Sequence, residues 1–318
     1  MSRLSVIVAV YNMADYLEQC CISLFEQTFK DIEYIFVDDC SNDGSMDLVR
    51  RVLSIYPSRI SQVKIVCNER NSGIAYSRGR GMKMAVGDYI IHCDPDDYID
   101  LNYYERMINA GEQSGADIVA CDYIRHDGER SSYMKNNFCS DVPSDCIKHI
   151  DECYFFPALW CIMLKRSLIQ EHDIYPIVGV NTGEDLNVLL RAFYYGNKIC
   201  YIPKAFYHYI RRSGSLSQNR DSLELWNKNI SKNLDYIIRF FEKLNDKSYR
   251  RMLAYFVFTK KMFLLSARPP QYRKWYNSYS YYNRYILSLK GVSISRRLFY
   301  WLIAHFYPLG WAYYKMKR

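Results

Sequence analysis

Four apolar segments near the start of the chain constrain its fold more than any other feature. They cover residues 4–10, 32–39, 63–69 and 89–93, are rich in Val and Ile, and are separated by helical patterns with one apolar face. Continuous apolar runs of this length are typical of strands buried on both faces of a parallel sheet. Because alternating strands and helices form right-handed crossover units, the sequence predicts an α/β fold with a mostly parallel sheet flanked by helices.

Polar side chains follow these segments at the points where the predicted strands end. They are Tyr11, Asp38, Asp39, Asn71, Gly73, Asp94, Asp96 and Asp97. The carboxyl ends of parallel strands meet at one edge of a sheet, where ligands usually bind. We therefore expect these residues to line one polar crevice.

The densest group of acids is Asp94-Pro-Asp96-Asp97, directly after the fourth segment. Three carboxylates at the mouth of a buried strand repel one another unless a cation or several donors lie beside them. Alone, the motif could equally be a solvated turn. Earlier acidic strand ends and a basic segment downstream favour a site where Mg²⁺ or Mn²⁺ bridges a diphosphate. The sequence contains no P-loop and no Gly-x-Gly-x-x-Gly motif, so kinase or dinucleotide chemistry is not supported.

Two further segments add charge downstream. Glu184 and Asp185 open an amphipathic helical pattern, where acids stabilise the helix dipole whether or not they take part in catalysis. A predicted strand near residues 199–207 leads into Arg211 and Arg212, which we expect in a mobile basic loop. A solvated pair with no function is the alternative for these arginines.

In this order, the motifs resemble those of the glycosyltransferase family 2 enzymes, which have the GT-A fold. The resemblance covers roughly residues 3–217 and is carried by VDDCSNDGS, NSGIAYSRGRG, CDPDDY, GEDLNVLLR and HYIRRSGSLS. It implies a Rossmann-like sheet. Within the family, the resemblance is to enzymes of the bacterial surface-polysaccharide type. It also implies an inverting, metal-dependent transfer of a sugar from a nucleotide diphosphate, most often UDP, to a carbohydrate hydroxyl.

The resemblance also implies a role for each matching position. Asp96, helped by Asp97, would bind Mg²⁺ or Mn²⁺, and Asp185, beside Glu184, would be the general base. The nucleotide-sugar donor would contact Ala9, Tyr11, Asp39, Asn71, Gly73, Arg78, Asp94, Arg211 and Arg212. Gly79 and Ile210 depart from the Asn and Arg that the family often has at these positions.

Charge divides the chain into two parts. Residues 1–217 carry 22 Lys and Arg against 29 Asp and Glu, whereas residues 218–318 carry 20 against 5 and have no acid after Asp246. The basic part is also rich in aromatic residues, a combination typical of segments that bind anionic membranes or nucleic acid. We predict a GT-A catalytic domain over residues 1–221 and a helical, basic-aromatic extension over 222–318.

The apolar stretch 298–314 is interrupted by His305, Pro308 and Gly310 and is too short for a clean membrane span. We predict that it lies in the headgroup region of an anionic membrane. A helical cap packed over the catalytic domain is the alternative. Membrane contact implies a lipid-linked carbohydrate acceptor and a cytoplasmic enzyme at the inner face of the cell membrane.

The scattered cysteines and the absence of a signal-peptide pattern predict reduced thiols in a cytoplasmic protein without a zinc site. A rival from another class is a nucleic-acid- or partner-binding protein with a vestigial crevice. The intact set Asp39, Asp94, Asp96 and Asp185 favours the enzyme, and we expect no nucleic acid. A nucleotidyltransferase, the other enzyme alternative, would need a glycine-rich, lysine-bearing loop that the sequence lacks.

Overall fold

A computed structural model describes residues 3–212, 223–267 and 269–316, without the side chains of 223–228. Its strands are β1 (Leu4–Val10), β2 (Ile32–Asp38), β3 (Val63–Cys67), β4 (Tyr89–His92), β5 (Tyr98–Ile99), β6 (Ile118–Asp127), β7 (Arg130–Met134), β8 (Ile162–Lys165) and β9 (Ile199–Arg211). Within these residues they form one sheet in the order β3-β2-β1-β4-β8-β6-β9-β5, with β7 paired to β6. The first four strands run parallel to their neighbours in the order β3-β2-β1-β4, and β8 runs antiparallel to β4 and β6.

Helices cover this sheet. They are α1 (Leu17–Phe25), α2 (Ser45–Ser54), α3 (Ile74–Met84), α4 (Tyr103–Ser114), α5 (Pro143–Lys148), α6 (Arg166–Glu171) and α7 (Glu184–Tyr195), with a 3-10 turn at Pro57–Gln62. Consecutive residues Val6, Ile7 and Val8 are all completely buried, so both faces of β1 are covered. Burying such a side chain contributes about 1.5–3 kcal/mol. The predicted α/β fold is confirmed.

Gly81 allows helix α3 to pack directly against β1. A Cβ at this position would lie 2.5 Å from Cγ2 of Ile7, closer than packed atoms tolerate. The close contact sets the position of Arg78, one turn earlier on the same helix, beside the carboxyl ends of the strands.

Three local predictions are wrong. The sequence predicts that Asp15 caps a helix from about Tyr16 to Gln27, but helix α1 begins at Leu17 after Tyr16 and has no side-chain cap. The sequence predicts a helix that carries both Lys165 and Arg166, but Lys165 ends β8 and the helix begins at Arg166. The predicted basic loop after residue 207 is strand as far as Arg211, because these residues pair with Ile124–Asp127 of β6. Its continuation over residues 213–217 lies outside the described residues.

The prediction that the thiols are reduced is wrong for one pair. Cys139 and Cys153 form a disulfide with a Cα–Cα distance of 5.7 Å, on either side of α5. The remaining cysteines, including buried Cys20, Cys93 and Cys161, are free. The 14-residue separation of the bonded pair matches no motif, so the pairing depends on how the chain folds between them.

The rest of the chain is helical. Its helices are α8 (Leu223–Lys243), α9 (Arg250–Ser266), α10 (Tyr272–Asn277), α11 (Ile294–His305) and α12 (Tyr307–Lys315), with 3-10 segments at Lys247–Tyr249 and Ser280–Ser288. Helix α8 packs on α7, and α9 packs on α5. The predicted domain boundary at 221/222 lies outside the described residues. We call residues 223–316 the helical region.

Helices α11 and α12 together contain the apolar stretch 298–314. Helix α11 packs on the segment Ser280–Ser288, and α12 packs on α10 and α11, so both have partners inside the helical region. Among the described helices, none has the length and apolar character needed to cross a bilayer. Membrane contact by this stretch stays a prediction.

Candidate active site

The carboxyl ends of β1, β2 and β4 form one edge. In the strand register Val10 lies beside Asp38, and His92 lies beside Ile7, so the residues that follow these strands enter the same crevice. The amide of Asp39 donates to the carbonyl of Val10 at 2.8 Å and extends this alignment by one residue.

Asp39 organises the loop after β3. Its buried carboxylate accepts hydrogen bonds from the Asn68 side chain at 2.7 Å and from the amides of Ser72 and Gly73 at 2.9 and 2.8 Å. Gly73 has a φ of +88°, and a Cβ there would collide with Asn181, so glycine is required. The aspartate therefore fixes the turn that contains Asn71 and Gly73, two of the predicted donor contacts.

The other predicted nucleoside contacts lie on the same side of the sheet with different exposure. Ala9 is half-buried in β1, and Tyr11 directly after it has an exposed ring. Asn71 is exposed in the loop that Asp39 holds. Contact of these residues with a nucleobase remains a prediction.

Arg78 of α3 is the centre of the crevice. Its buried guanidinium donates to Asp94 after β4 at 2.5 Å, to Glu184 at 2.7 Å and to Asp185 at the start of α7. Burial alone would lower the pKa of Arg78, but the charges of Asp185, Asp94 and Glu184 outweigh it and raise the pKa. One cation thus joins the predicted donor end of the crevice to the predicted base.

Asp185 has the ionisation expected of a group that exchanges protons near neutral pH. Burial raises its pKa to about 7, and the charges of Glu184 and Asp94 add to this, while Arg78 opposes it. The amide of Leu159 donates to the second oxygen of Asp185 at 3.3 Å and holds the carboxylate. Burial also raises the pKa of Glu184. A carboxylate poised near pH 7 suits general base catalysis.

The three carboxylates after β4 have three different partners. Asp94 contacts Arg78, and Asp96 accepts from Nε of Arg212 at 2.8 Å. Asp97 is buried and accepts from the hydroxyl of Tyr207 and the amide of Ile210, both at 2.7 Å. Burial, reinforced by the charge of Asp94, raises the pKa of both Asp96 and Asp97.

The two arginines predicted to cover the diphosphate separate. Arg212 contacts Asp96 and lies 4.2 Å from the ring centre of Tyr16, at the crevice. Arg211 lies half-exposed and pairs with Asp127 of β6 at 3.2 Å. Successive residues along an extended chain point to opposite faces. Of the two arginines, only Arg212 therefore reaches the carboxylates that follow β4.

A divalent metal fits this edge with ligands from both protein and substrate. Among the described residues, no three His, Cys, Asp or Glu side chains converge on one metal position. Mg²⁺ usually takes one or two protein carboxylates and completes its shell with phosphate oxygens and water. Asp96 and Asp94 offer such oxygens, and burial, with the charge of Asp94 as a second cause, raises the pKa of Asp96. Asp97 has less capacity to bind a metal, because both of its carboxylate oxygens already accept hydrogen bonds.

Sequence reasoning missed Tyr207, which ties the acidic turn to β9. Its hydroxyl donates to Asp97 and accepts from the amide of Asp94 at 3.0 Å, while its ring stacks on Trp160 at 4.2 Å. Buried tyrosines need a partner for the hydroxyl, so an apolar Phe206-Tyr207 pair in the predicted strand was the signal that could have found it.

A second missed residue, Asn233, comes from the helical region. Its buried side chain donates to the carbonyl of Gly183 at 2.6 Å and accepts from Asn187 at 3.2 Å, so it holds both sides of the start of α7. Nothing in the local sequence around residue 233 signals this contact. The helical region therefore touches the segment that carries the predicted base.

Comparison with known proteins agrees with this geometry. A family model described as glycosyl transferase family 2 matches residues 5–172. The Bacillus subtilis uncharacterized glycosyltransferase EpsJ is 28% identical over 220 residues, which are 67% of this chain and 62% of EpsJ. The Streptococcus pneumoniae glycosyltransferase GlyG is 28% identical over 279 residues, 80% of this chain and 90% of GlyG. The chain thus spans less than two thirds of EpsJ.

Solved structures share the architecture. S. aureus TarS 1-349 in complex with UDP-GlcNAc superposes with a TM-score of 0.70 at 20% identity, covering 98% of this chain and 92% of TarS 1-349. The mannosyltransferase PcManGT of Pyrobaculum calidifontis, in complex with GDP-Man and Mn²⁺, gives 0.54 at 15% identity, over 95% and 86% of the two chains. At these identities the likeness concerns the fold. With the family match, it shows that the chain belongs to glycosyl transferase family 2 and has the GT-A fold.

Proposed function

We propose that the chain is an inverting glycosyltransferase that moves a sugar from a UDP-linked donor to a carbohydrate hydroxyl during synthesis of a bacterial surface polymer. The observation that carries the proposal is the Arg78 group, which joins Asp94 to Asp185. Curated relatives include a poly(ribitol-phosphate) beta-glucosyltransferase of Bacillus spizizenii, 28% identical over 67% of this chain. TarS was solved with UDP-GlcNAc, which favours UDP as the carrier.

Asp185 acts as the general base in this proposal. Its carboxylate takes the proton of the acceptor hydroxyl as the oxygen attacks the anomeric carbon opposite the leaving diphosphate, which inverts that carbon. Arg78 and the amide of Leu159 orient the two carboxylate oxygens, and Glu184 shares Arg78. With a pKa of about 7, the ionised form that accepts protons predominates above neutral pH.

The donor lies across the ends of β1, β2 and β4. Ala9, Tyr11 and Asn71 contact the nucleoside, and the loop that Asp39 fixes at Gly73 closes one side of it. Asp94 contacts the ribose or the donor sugar. These assignments are supported by position at the strand ends and by the buried bonds of Asp39.

Asp96, with help from Asp94 and Asp97, holds Mg²⁺ or Mn²⁺ in this proposal. When bound, the metal would supply charge that stabilises the leaving diphosphate. Arg212, now paired with Asp96, is placed to bind diphosphate oxygens, and Arg211 is a second candidate for this contact. PcManGT, solved with GDP-Man and Mn²⁺, supports a metal in a protein of this fold.

The acceptor is a lipid-linked carbohydrate at the cytoplasmic face of an anionic membrane. The excess of 20 basic over 5 acidic residues after position 217 supports this part of the proposal, as does the exposed apolar surface of α11 and α12. Flotation of the full chain with phosphatidylglycerol vesicles tests it. Equal recovery with neutral and anionic vesicles would contradict it.

A donor screen tests the catalytic proposal. We expect UDP with Mn²⁺ to raise the melting temperature, and one UDP-sugar to be hydrolysed or transferred. Asp96→Asn should abolish the metal-dependent part of the shift, whereas Asp47→Asn, which removes an exposed acid paired with Arg50, should retain it. Absence of stabilisation by every nucleotide tested would overturn the proposal.

A further inference from the structure

A groove of about 620 Å³ lies between α10 and α12, within the helical region. Three basic side chains line it, Arg273 and Lys274 from α10 and Lys315 from α12, together with the aromatic rings of Tyr307 and Trp311. No role in the proposed transfer reaction requires this groove. It also lies outside the residues that match the family model.

The walls of the groove are held by buried contacts. The hydroxyl of Tyr272 on α10 donates to the carbonyl of Ile303 on α11 at 2.6 Å, and its ring stacks on Tyr314 of α12 at 5.6 Å. A Cβ at Gly310 would lie 2.2 Å from the Tyr272 hydroxyl, so the glycine allows α12 to approach. Three helices therefore share one tyrosine as their contact point, and the groove is part of the packing.

Among the described residues, no carboxylate compensates the positive charge of the groove. Its basic residues lie in a segment that has no acid after Asp246, and none of the three pairs with a carboxylate among the described residues. The ammonium of Lys315 lies 4.5 Å from the ring centre of Trp311, which leaves its positive charge unneutralised. Uncompensated cations in a concave surface attract anions.

Large apolar side chains are exposed next to this charge. Phe306 precedes α12, Leu309 and Trp311 lie on it, and Met316 follows it, and all four are exposed. On α11, Ile294, Leu298 and Leu302 are exposed at four-residue spacing and so form one stripe. Exposed apolar surface beside basic residues is typical of helices that lie in a membrane interface.

We propose that this groove binds the phosphate of an anionic phospholipid headgroup, while the exposed apolar side chains of α12 enter the acyl boundary. The inference rests on the proposed membrane association and deepens it by assigning the contact with lipid to this groove and to α12. Leu309 and Met316 favour lipid over nucleic acid, because aliphatic side chains offer no face on which bases stack. The phosphate chemistry itself is shared with soluble phosphates, so the experiment separates the two sources.

The experiment is flotation of the full chain on vesicles of phosphatidylcholine with and without phosphatidylglycerol. The groove variant Arg273→Ala/Lys274→Ala/Lys315→Ala is compared with Lys232→Ala/Arg239→Ala/Lys243→Ala, which removes the same charge from exposed positions on α8. We expect the groove variant to lose at least tenfold in partitioning and the α8 variant to lose less than threefold. Equal losses would overturn the groove assignment.

Failure of the proposed membrane association would give a different result from failure of the groove assignment. If the unmodified chain does not bind anionic vesicles, membrane association itself fails. If it binds and the two triple variants lose equally, only the groove fails. Circular dichroism and transfer to a soluble acceptor check that each variant is folded.

Two further arms identify the ligand. Leu309→Ser/Met316→Ser should lower vesicle partitioning by severalfold while leaving every groove cation in place, and no change would contradict entry into the acyl boundary. Inorganic phosphate and a single-stranded oligonucleotide are added as competitors. Displacement from vesicles by millimolar phosphate, or by the oligonucleotide at the concentration of lipid, would overturn the lipid assignment.

Discussion

The crevice and the helical region both bury a basic side chain, and they accommodate it in opposite ways. Arg78 is surrounded by Asp94, Glu184 and Asp185, whose charges keep it ionised. Lys261 on α9 is equally buried but pairs with no acid in the described part of the chain: its ammonium donates to Asn283 at 2.9 Å and lies 4.8 Å from the ring centre of Trp275. Burial lowers the pKa of Lys261 to about 7.

The difference follows from composition. The first part of the chain has an excess of acids, so a buried cation there can be paired, whereas the sequence after Asp246 contains no carboxylate. A buried charge must be paired or neutralised, because its desolvation is too unfavourable otherwise. The crevice therefore keeps its buried cation charged between carboxylates, whereas burial in the helical region favours the neutral form of Lys261.

The largest effect is expected for Arg78→Ala. Removing the cation leaves three carboxylates together in a buried site, which should lower the free energy of unfolding by about 3–5 kcal/mol and abolish transfer. Urea unfolding and donor turnover measure both. Arg50→Ala, which breaks an exposed pair with Asp47, is the control and should change neither. Retained turnover in Arg78→Ala would show that the charge group is structural only.

The next largest effect is expected for Asp185→Asn. Loss of the base should lower kcat by about a hundredfold to ten-thousandfold and leave UDP binding intact. Because the pKa of Asp185 is raised to about 7, the rate of the unmodified enzyme should fall as pH drops through 7. Initial rates between pH 5.5 and 9 test this. A profile flat across that range, or an equal loss in Glu184→Gln, would reassign the base.

Asn233→Ala tests whether the helical region supports catalysis. The change removes the bonds to Gly183 and Asn187, and a buried partner left unsatisfied should destabilise by about 1–3 kcal/mol. We expect a fall in kcat of about tenfold with little change in KM for the donor, because each 1.4 kcal/mol in a barrier is a factor of ten.

The neighbouring Lys232→Ala, exposed on α8, provides the matched control for Asn233→Ala. A shift of the acidic limb of the pH profile in Asn233→Ala alone would assign the residue a role in positioning Asp185. A loss of stability with unchanged kcat and unchanged pH profile would restrict Asn233 to packing.

Lys261→Met should have the smallest effect on transfer. The folded pKa of about 7 lies below the usual 10.5, so the unfolded chain binds more protons between these values and stability should rise with pH there. The methionine variant should lose this rise, by at most about 1.4 kcal/mol per pH unit. Urea unfolding at pH 7, 8 and 9 measures it. Parallel stability curves would show that Lys261 does not titrate in this range.

Several features of the site were predictable from local sequence. The strands β2 and β4, which precede Asp39 and Asp94, lie where the apolar runs predicted them, and Glu184 opens α7 as expected. Other contacts were not, because they depend on strand pairing and packing between distant segments. Arg211 lies outside the crevice because β9 pairs with β6 as far as this residue. The Cys139–Cys153 disulfide corresponds to no sequence motif.

The sequence by itself determined the α/β order, the acids at the strand ends and the separation of acidic and basic parts, because these depend on local polarity and period. The tertiary structure alone decided which carboxylate pairs with which arginine. Arg78 reaches Asp185 across 107 positions, and Arg212 reaches Asp96 across 116. Such pairs form only when the sheet brings its strand ends together, and they give each carboxylate of Asp94-Pro-Asp96-Asp97 a different partner: Arg78, Arg212 and Tyr207.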